Sequence, residues 1–321
     1  MKPHFKIFLL FCIIGSCSVS SIDAQTEHHK GILRYLTNAA VLDSANIQIT
    51  YSLVFVPDSS KMNETLNDRK ILLIGNSVQH FYSYYSRFVD SVVTAKNKKG
   101  GGSSKYPNFS NEICAEWYNI YNNYPTGKQT VVENISNLQM HLYKEDLAEF
   151  PEWSITIETM TILNYLCYKA VCYYHGRIWE AWFTLDIPIN AGPWKLRGLP
   201  GLILKANDSR QHYVFECIGI EKLKHPVPIL LYEGAIEAAS NSTHSETREK
   251  YLKALNQFYD NYVNTSLSMG YNVAILDDSD KIIEYIETPN KRFADLGVQF
   301  TIKVNARDRY KKIPYNPIEL E

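Results

Sequence analysis

The sequence predicts a mainly β protein of the α+β kind: a strongly curved antiparallel sheet or half-barrel, with one or two helices against its concave side. Three observations carry this. Strand-type patterns dominate from Ile47 to Ile220. Aromatic residues make up 13% of the chain, with 23 tyrosines, and these side chains suit pleated surfaces. Helical periodicity, by contrast, is confined to two short stretches.

The elements follow in order. Ile47–Val56 alternates apolar and polar residues and stops at Pro57-Asp58, as a half-buried strand does. Lys70–Ser77 is a second strand. Phe81, Tyr84, Tyr85, Phe88 and Val92 then fall at helical spacing and predict a short amphipathic helix over the sheet. Lys96–Ser104 is a flexible lysine- and glycine-rich loop. Further strands are expected at Glu112–Tyr121, Gln129–Val132 and Leu138–Tyr143. The best-defined unit is a hairpin turning at His175-Gly176, which sets Tyr174 opposite Arg177, Cys172 opposite Trp179 and Lys169 opposite Trp182. Cys167 and Cys172 then point to opposite faces of one strand and cannot bridge each other. Leu202–Ala206 and His212–Ile220 form another hairpin over Asn207-Asp208-Ser209-Arg210. Beyond Pro226 and Pro228, Thr243–Glu246 reads as a capping box, and Tyr251, Leu255, Phe258 and Tyr262 make one apolar helix stripe. Asp277–Asp280 is expected to be a solvated turn. The last fifty residues are weakly patterned and end in polar Tyr315-Asn316-Pro317.

Lys2 and Lys6 flank the start, and Ile7–Ile14 is an apolar core too short to span a bilayer, as in a secretory leader. Cleavage after Ala24 is expected, and a loose lipobox at Ile14-Gly15-Ser16-Cys17 offers lipidation at Cys17 instead. This gives a leader at 1–24, a curved sheet domain at 25–230, and a helical extension with a tail at 231–321. The product would be exported to the periplasm or cell surface. A net charge of −1 gives no electrostatic case for nucleic acid. Cys114, Cys167, Cys172 and Cys217 permit two disulfides in an exported protein, with the pairing open. No metal or other cofactor is expected, because no C-x-x-C pair or histidine ligand set occurs.

Gly198-Leu199-Pro200-Gly201-Leu202-Ile203 is the most distinctive stretch. Two glycines flank a proline that fixes its own φ and biases Leu199 to an extended conformation, and an apolar run follows, so a tight turn feeds a buried strand. In order along the chain stand Cys167, Lys169-Ala170, Gly176-Arg177, Ala181-Trp182, Asp186-Ile187-Pro188-Ile189, Gly192-Pro193-Trp194 and then this hexapeptide. That series resembles the signature of the GLPGLI family, secreted proteins of Bacteroidota. Leu73-Ile74-Gly75 with Ser77, Phe81 and Ser83 looks like the family's earlier block. Arg197 departs from the pattern, where an aromatic or cysteine often stands. The family has no established activity to carry over, so the resemblance implies a compartment rather than a reaction.

No G-x-S-x-G elbow, H-E-x-x-H, Walker loop or dinucleotide fingerprint occurs. His141, His175 and His212 fall at strand or turn positions and read as surface histidines. Lys169 is the sharper candidate, since cross-strand Trp182 and diagonal Glu180 would give its ammonium a cation–π and a carboxylate contact. Lys169, Arg177, Trp182, Asp186 and Trp194 are the candidate ligand contacts. The favoured reading is an exported, non-enzymatic protein that binds or carries a hydrophobic or peptidic ligand in the cell envelope. By analogy with lipoprotein-carrier half-barrels, the ligand would lie on the concave face. An envelope enzyme or accessory using Lys169, Arg177 and Asp186 as a polar cluster stays open, as does a structural surface protein whose tyrosine-rich faces bind an envelope partner.

Overall fold

A computed structural model describes residues 40–84, 118–136, 139–231, 243–269, 271–289, 300–308 and 316–320. The leader with Cys17, most of the helical stripe after Tyr84, the 96–104 loop and Cys114 lie outside these residues. The main body is one sheet of twelve strands. Its strands are β1 (Ala40–Phe55), β2 (Leu66–Ile74), β3 (Gln79–Ser83), β4 (Tyr118–Asn122), β5 (Lys128–Ser136), β6 (Gln139–Asp146), β7 (Ser154–Ile162), β8 (Tyr165–Tyr174), β9 (Arg177–Thr184), β10 (Leu202–Asp208), β11 (Tyr213–Leu231) and β12 (Thr243–Glu246). They lie in the order β12-β6-β5-β4-β3-β2-β1-β11-β10-β9-β8-β7, so among the described residues β12 and β7 are the edges and the sheet does not close into a barrel. Every pairing is antiparallel except β12 with β6. Two helices, α1 (Arg248–Asp260) and α2 (Tyr262–Met269), lead to a separate three-stranded sheet of β13 (Tyr271–Leu276), β14 (Ile282–Ile286) and β15 (Phe300–Asn305).

The sheet bends sharply. Eight ladder steps separate β6 from β9, which would be roughly 38 Å in a flat sheet at about 4.8 Å per step. Yet His175, at the tip of the β8–β9 hairpin, brings its Nε2 within 4.0 Å of Glu145 on β6. Register shifts in β1 at Val41/Asp43, Ala45/Ile47 and Thr50/Tyr51 supply some of that bend, since bulges increase local twist. Alternation in β1 sends Ile49, Tyr51, Leu53 and Phe55 inward, where they join one apolar cluster with Phe81, Tyr143, Trp179, Trp194, Leu202, Phe215 and the α1 residues Tyr251, Leu255 and Phe258. A smaller cluster of Ile71, Leu73, Tyr82, Tyr121, Leu142 and Ile229 covers part of the other face.

Several sequence expectations change. Gln79–Ser83 is a strand paired along β2, so Phe81 belongs to a two-residue period and its helical spacing to Tyr84 is incidental. Thr243–Glu246 is a strand at the sheet edge rather than a capping box. The helix starts four residues later, with Thr247 as N-cap accepting from the Lys250 N–H at 3.5 Å. The stripe itself packs inward through Tyr251, Leu255, Phe258 and Tyr259, whereas Tyr262 opens the next helix. The weakly patterned end contains β13–β15, with β15 parallel to β13. Cys167, Cys172 and Cys217 are buried free thiols, and burial pushes each up, to about 11, 12 and 11. His141 and His212 are buried rather than superficial.

Candidate functional site

The loop between β9 and β10 carries the distinctive motif across the inner face. Leu196 N–H donates to Pro193 O at 3.1 Å and closes a turn in which Trp194 takes φ 55. That turn drives the Trp194 ring under the hairpin tip, 5.4 Å from Trp179 and 5.7 Å from His175. Gly198 has φ 98, and a Cβ there would meet Phe150 at 2.5 Å. At Gly201 a Cβ would collide with the Thr184 carbonyl oxygen, so this glycine serves close approach rather than left-handed geometry. Leu199, Leu202 and Ile203 are buried, and Pro200 is exposed. At Gly192 a Cβ would meet the Leu196 carbonyl oxygen at 2.4 Å and Ile203 at 2.8 Å. The face behind the motif is thus packed with side chains.

Lys195 follows Trp194 inward and is only 1% exposed. Its Nζ lies 2.6 Å from Glu145 and 2.6 Å from Glu319, and it donates to the Tyr143 hydroxyl at 3.1 Å. Arg248, the first residue of α1, places Nε 2.6 Å from Glu319 and 3.5 Å from Glu145. Tyr143 donates to Glu133 at 3.2 Å, and Tyr251 donates to the same carboxyl. The alternation of β5 and β6 puts Glu133, Tyr143 and Glu145 on one face.

Burial shapes the protonation of this cluster. It works against the Lys195 ammonium, but Glu319, Glu145 and Glu133 outweigh it and hold the lysine above its ordinary value. Burial would raise Glu319, but Lys195 foremost among the neighbouring basic groups holds it at about 2. Burial, with Glu319 adding, pushes Glu133 up to about 7. It pushes His175 down to about 3 against the pull of Glu319. Lys195 therefore stays a cation and is no amine nucleophile, while the Glu319 carboxylate stays ionised.

Glu319 belongs to residues 316–320, which cross the inner face with a bend at Ile318. Arg177, buried at the start of β9, reads this segment. Its Nε donates to Ile318 O at 2.9 Å, and its Nη2 donates to Pro317 O at 2.5 Å and to the Asn316 side-chain oxygen at 2.8 Å. Asp208 holds the guanidinium from behind at 2.9 Å. Tyr213 donates to Asn316 O, the Asn316 side chain donates to Val56 O, Asn316 N–H to Pro57 O and Leu320 N–H to His175 O. Ile318 is buried in the main apolar cluster.

Of the five candidate contacts, Arg177 and Trp194 belong to this site. Lys169 and Trp182 do not. The unbroken β8–β9 register puts them on the face opposite to Tyr174 and Arg177. There Lys169 pairs with Glu158 and Glu180, each at 3.3 Å, with the Trp182 ring 5.8 Å away. Asp186 is exposed beyond the end of β9. Lys169, Arg177 and Asp186 thus form no single polar cluster. Sequence reasoning missed Lys195, Glu133, Tyr143, Glu145, Arg248 and Glu319, whose partners are far apart along the chain. Among the described residues no group of His, Cys, Asp and Glu could hold a metal ion.

Residues 175–205 match a family model described as a protein of unknown function (Porph_ging). The matched span holds Arg177, Trp194, Lys195 and the 198–203 motif. No curated protein matches the chain. Crystal structures of PNGF-II in space groups P21 and C2 are similar at 19% identity and a TM-score of 0.41. They cover 66% and 65% of this chain, which spans about a third of their length, 33% and 32%.

Proposed function

We propose that the protein is a non-enzymatic binding protein whose inner-face groove takes a short peptide segment. One observation carries this reading: the backbone carbonyls of residues 316, 317 and 318 and the N–H of residue 320 are each met by a group of the groove. Three of these are met by buried side chains, and the fourth by the carbonyl at the hairpin tip. A guanidinium aimed at consecutive carbonyls recognises main chain, which is the part of a ligand that every peptide offers. Of the hydrophobic or peptidic ligand expected on the concave face, this reading takes the peptidic one. The resemblance to the GLPGLI family and the apolar stretch in the expected leader at 1–24 support export as part of this reading, and N-terminal sequencing of protein from its native host tests that part. Retention of Met1 would overturn it.

The binding test uses the full chain with a specific protease site introduced between Asp308 and Asn316 and cut after folding. A labelled, end-capped peptide Asn-Pro-Ile-Glu-Leu should then exchange into the groove and saturate, with a change in tryptophan emission from the Trp194–Trp179 pair. A cut chain that keeps its circular dichroism and takes up no peptide would overturn the reading.

A further inference from the structure

We propose that the groove selects acidic peptides, reading a glutamate three residues after an asparagine, and that residues 316–320 are a tethered occupant that competes with such ligands. This rests on the peptide-binding reading above and names its ligand class.

Charge and shape set the selection. Glu319 lies between two cations, Lys195 and Arg248, at 2.6 Å from each. Take that carboxylate away and the ammonium and the guanidinium keep Glu145, at 2.6 and 3.5 Å, but both lose the partner they share at 2.6 Å. An occupant that brings no carboxylate to that place is therefore disfavoured. The remaining positions are set by geometry. Asn316 is bonded through both ends of its side-chain amide, by Arg177 to its oxygen and from its nitrogen to Val56 O. Pro317 favours an extended residue before it and needs no donor of its own. Ile318 sits in the apolar cluster, so the residue before the glutamate must be apolar. Selection would thus run Asn-Pro-apolar-Glu. A segment tethered within the same chain competes at an effective concentration of order millimolar, so the groove of the intact chain is closed to weak ligands.

The test compares capped Asn-Pro-Ile-Glu-Leu with Asn-Pro-Ile-Gln-Leu on the cut full chain by fluorescence anisotropy. The glutamine peptide should bind roughly 30-fold more weakly or worse, because it lacks the carboxylate that both cations share. Arg248→Gln should shrink that ratio, and Arg248→Lys should restore most of it, an outcome that a purely structural role for Arg248 would not give. On the uncut chain the glutamate peptide should show no saturable binding in the micromolar range. Equal affinity for the two peptides would overturn the acidic selectivity while leaving the peptide-binding reading standing. Uptake of neither peptide by a folded, cut chain would overturn both. Tight uptake by the uncut chain would overturn the tethered competition. So would dimers formed by exchanging residues 316–320 between copies.

Discussion

At the scale of single residues, the cluster around Lys195 makes stability depend on pH in opposing ways. Glu133 binds its proton more tightly in the folded chain than in the unfolded one. Its contribution is therefore complete below the ordinary carboxylate range and is lost as pH rises towards about 7. His175 is depressed to about 3, so its contribution is complete above the ordinary histidine value and is lost as pH falls below it. The two oppose each other between pH 4.5 and 6.5 and partly cancel in the parent. They are separable by difference: relative to the parent, Glu133→Gln should gain stability as pH rises from 4.5 to 7, and His175→Gln should gain it as pH falls from 6.5 to 4.5. Urea midpoints across that range check both signs. The glycines of the motif make a second residue-scale case. Gly198→Ala should cost about 1 kcal/mol or more, because alanine resists its positive φ. Gly201→Ala forces backbone away from the Thr184 carbonyl and should cost roughly 1–3 kcal/mol, as overpacking does. Denaturant midpoints near the parent's for both would show that the turn tolerates a Cβ. How much of this was legible also divides by residue. Lys169 meets Trp182 and Glu180 as the hairpin register implies, since its contacts are local. Lys195 was invisible as a buried cation, because nothing in Gly-Pro-Trp-Lys-Leu marks which way a loop lysine points. Its carboxylates come from β6 and from residue 319.

At the scale of elements, periodicity located most strands and the α1 stripe, but it failed where two periods overlap. Phe81 and Tyr84 fit a helix by spacing, yet the ladder to β2 claims residues 79–83. The helix start shows a related failure: Thr243 has the right neighbour for a capping box, but residues 243–246 pair with β6, and Thr247 does the capping. Thr247→Ala should therefore cost about 0.5–1 kcal/mol, at the lower end of N-cap effects because its bond is long at 3.5 Å. Thr243→Ala should leave the helix unchanged. Far-ultraviolet circular dichroism through a thermal melt distinguishes them, and an effect at Thr243 that exceeded the effect at Thr247 would contradict the assigned cap.

At the scale of the whole molecule, distant parts of the chain share one electrostatic centre. The sheet bends until β6 and the β8–β9 tip meet, α1 closes the side with Arg248, and residues 316–320 complete it with Glu319. Such a centre is costly to break singly. Lys195→Met should lose about 3–5 kcal/mol by stranding buried carboxylates, and adding Glu319→Gln should recover part of that loss. Chemical denaturation of both variants measures the recovery, and a double variant less stable than Lys195→Met alone would contradict the coupling. The strand patterns could not show this closure. Curvature of a sheet is set by bulges and by contacts between its far ends, neither of which leaves a local signature in sequence.

The place of residues 316–320 in the chain has a temporal consequence. Ribosomes build proteins from the amino end at about 5–20 residues per second, so Lys195, Arg177 and the strands beneath them exist well before Glu319 does. During that interval the basic groove has no occupant from its own chain. A molecule interrupted before residue 316 would keep it open, with buried cations short of a carboxylate, and would differ chemically at that spot from one that carries the segment. Arrival of residues 316–320 would supply that carboxylate and mark the strands beneath it as already made.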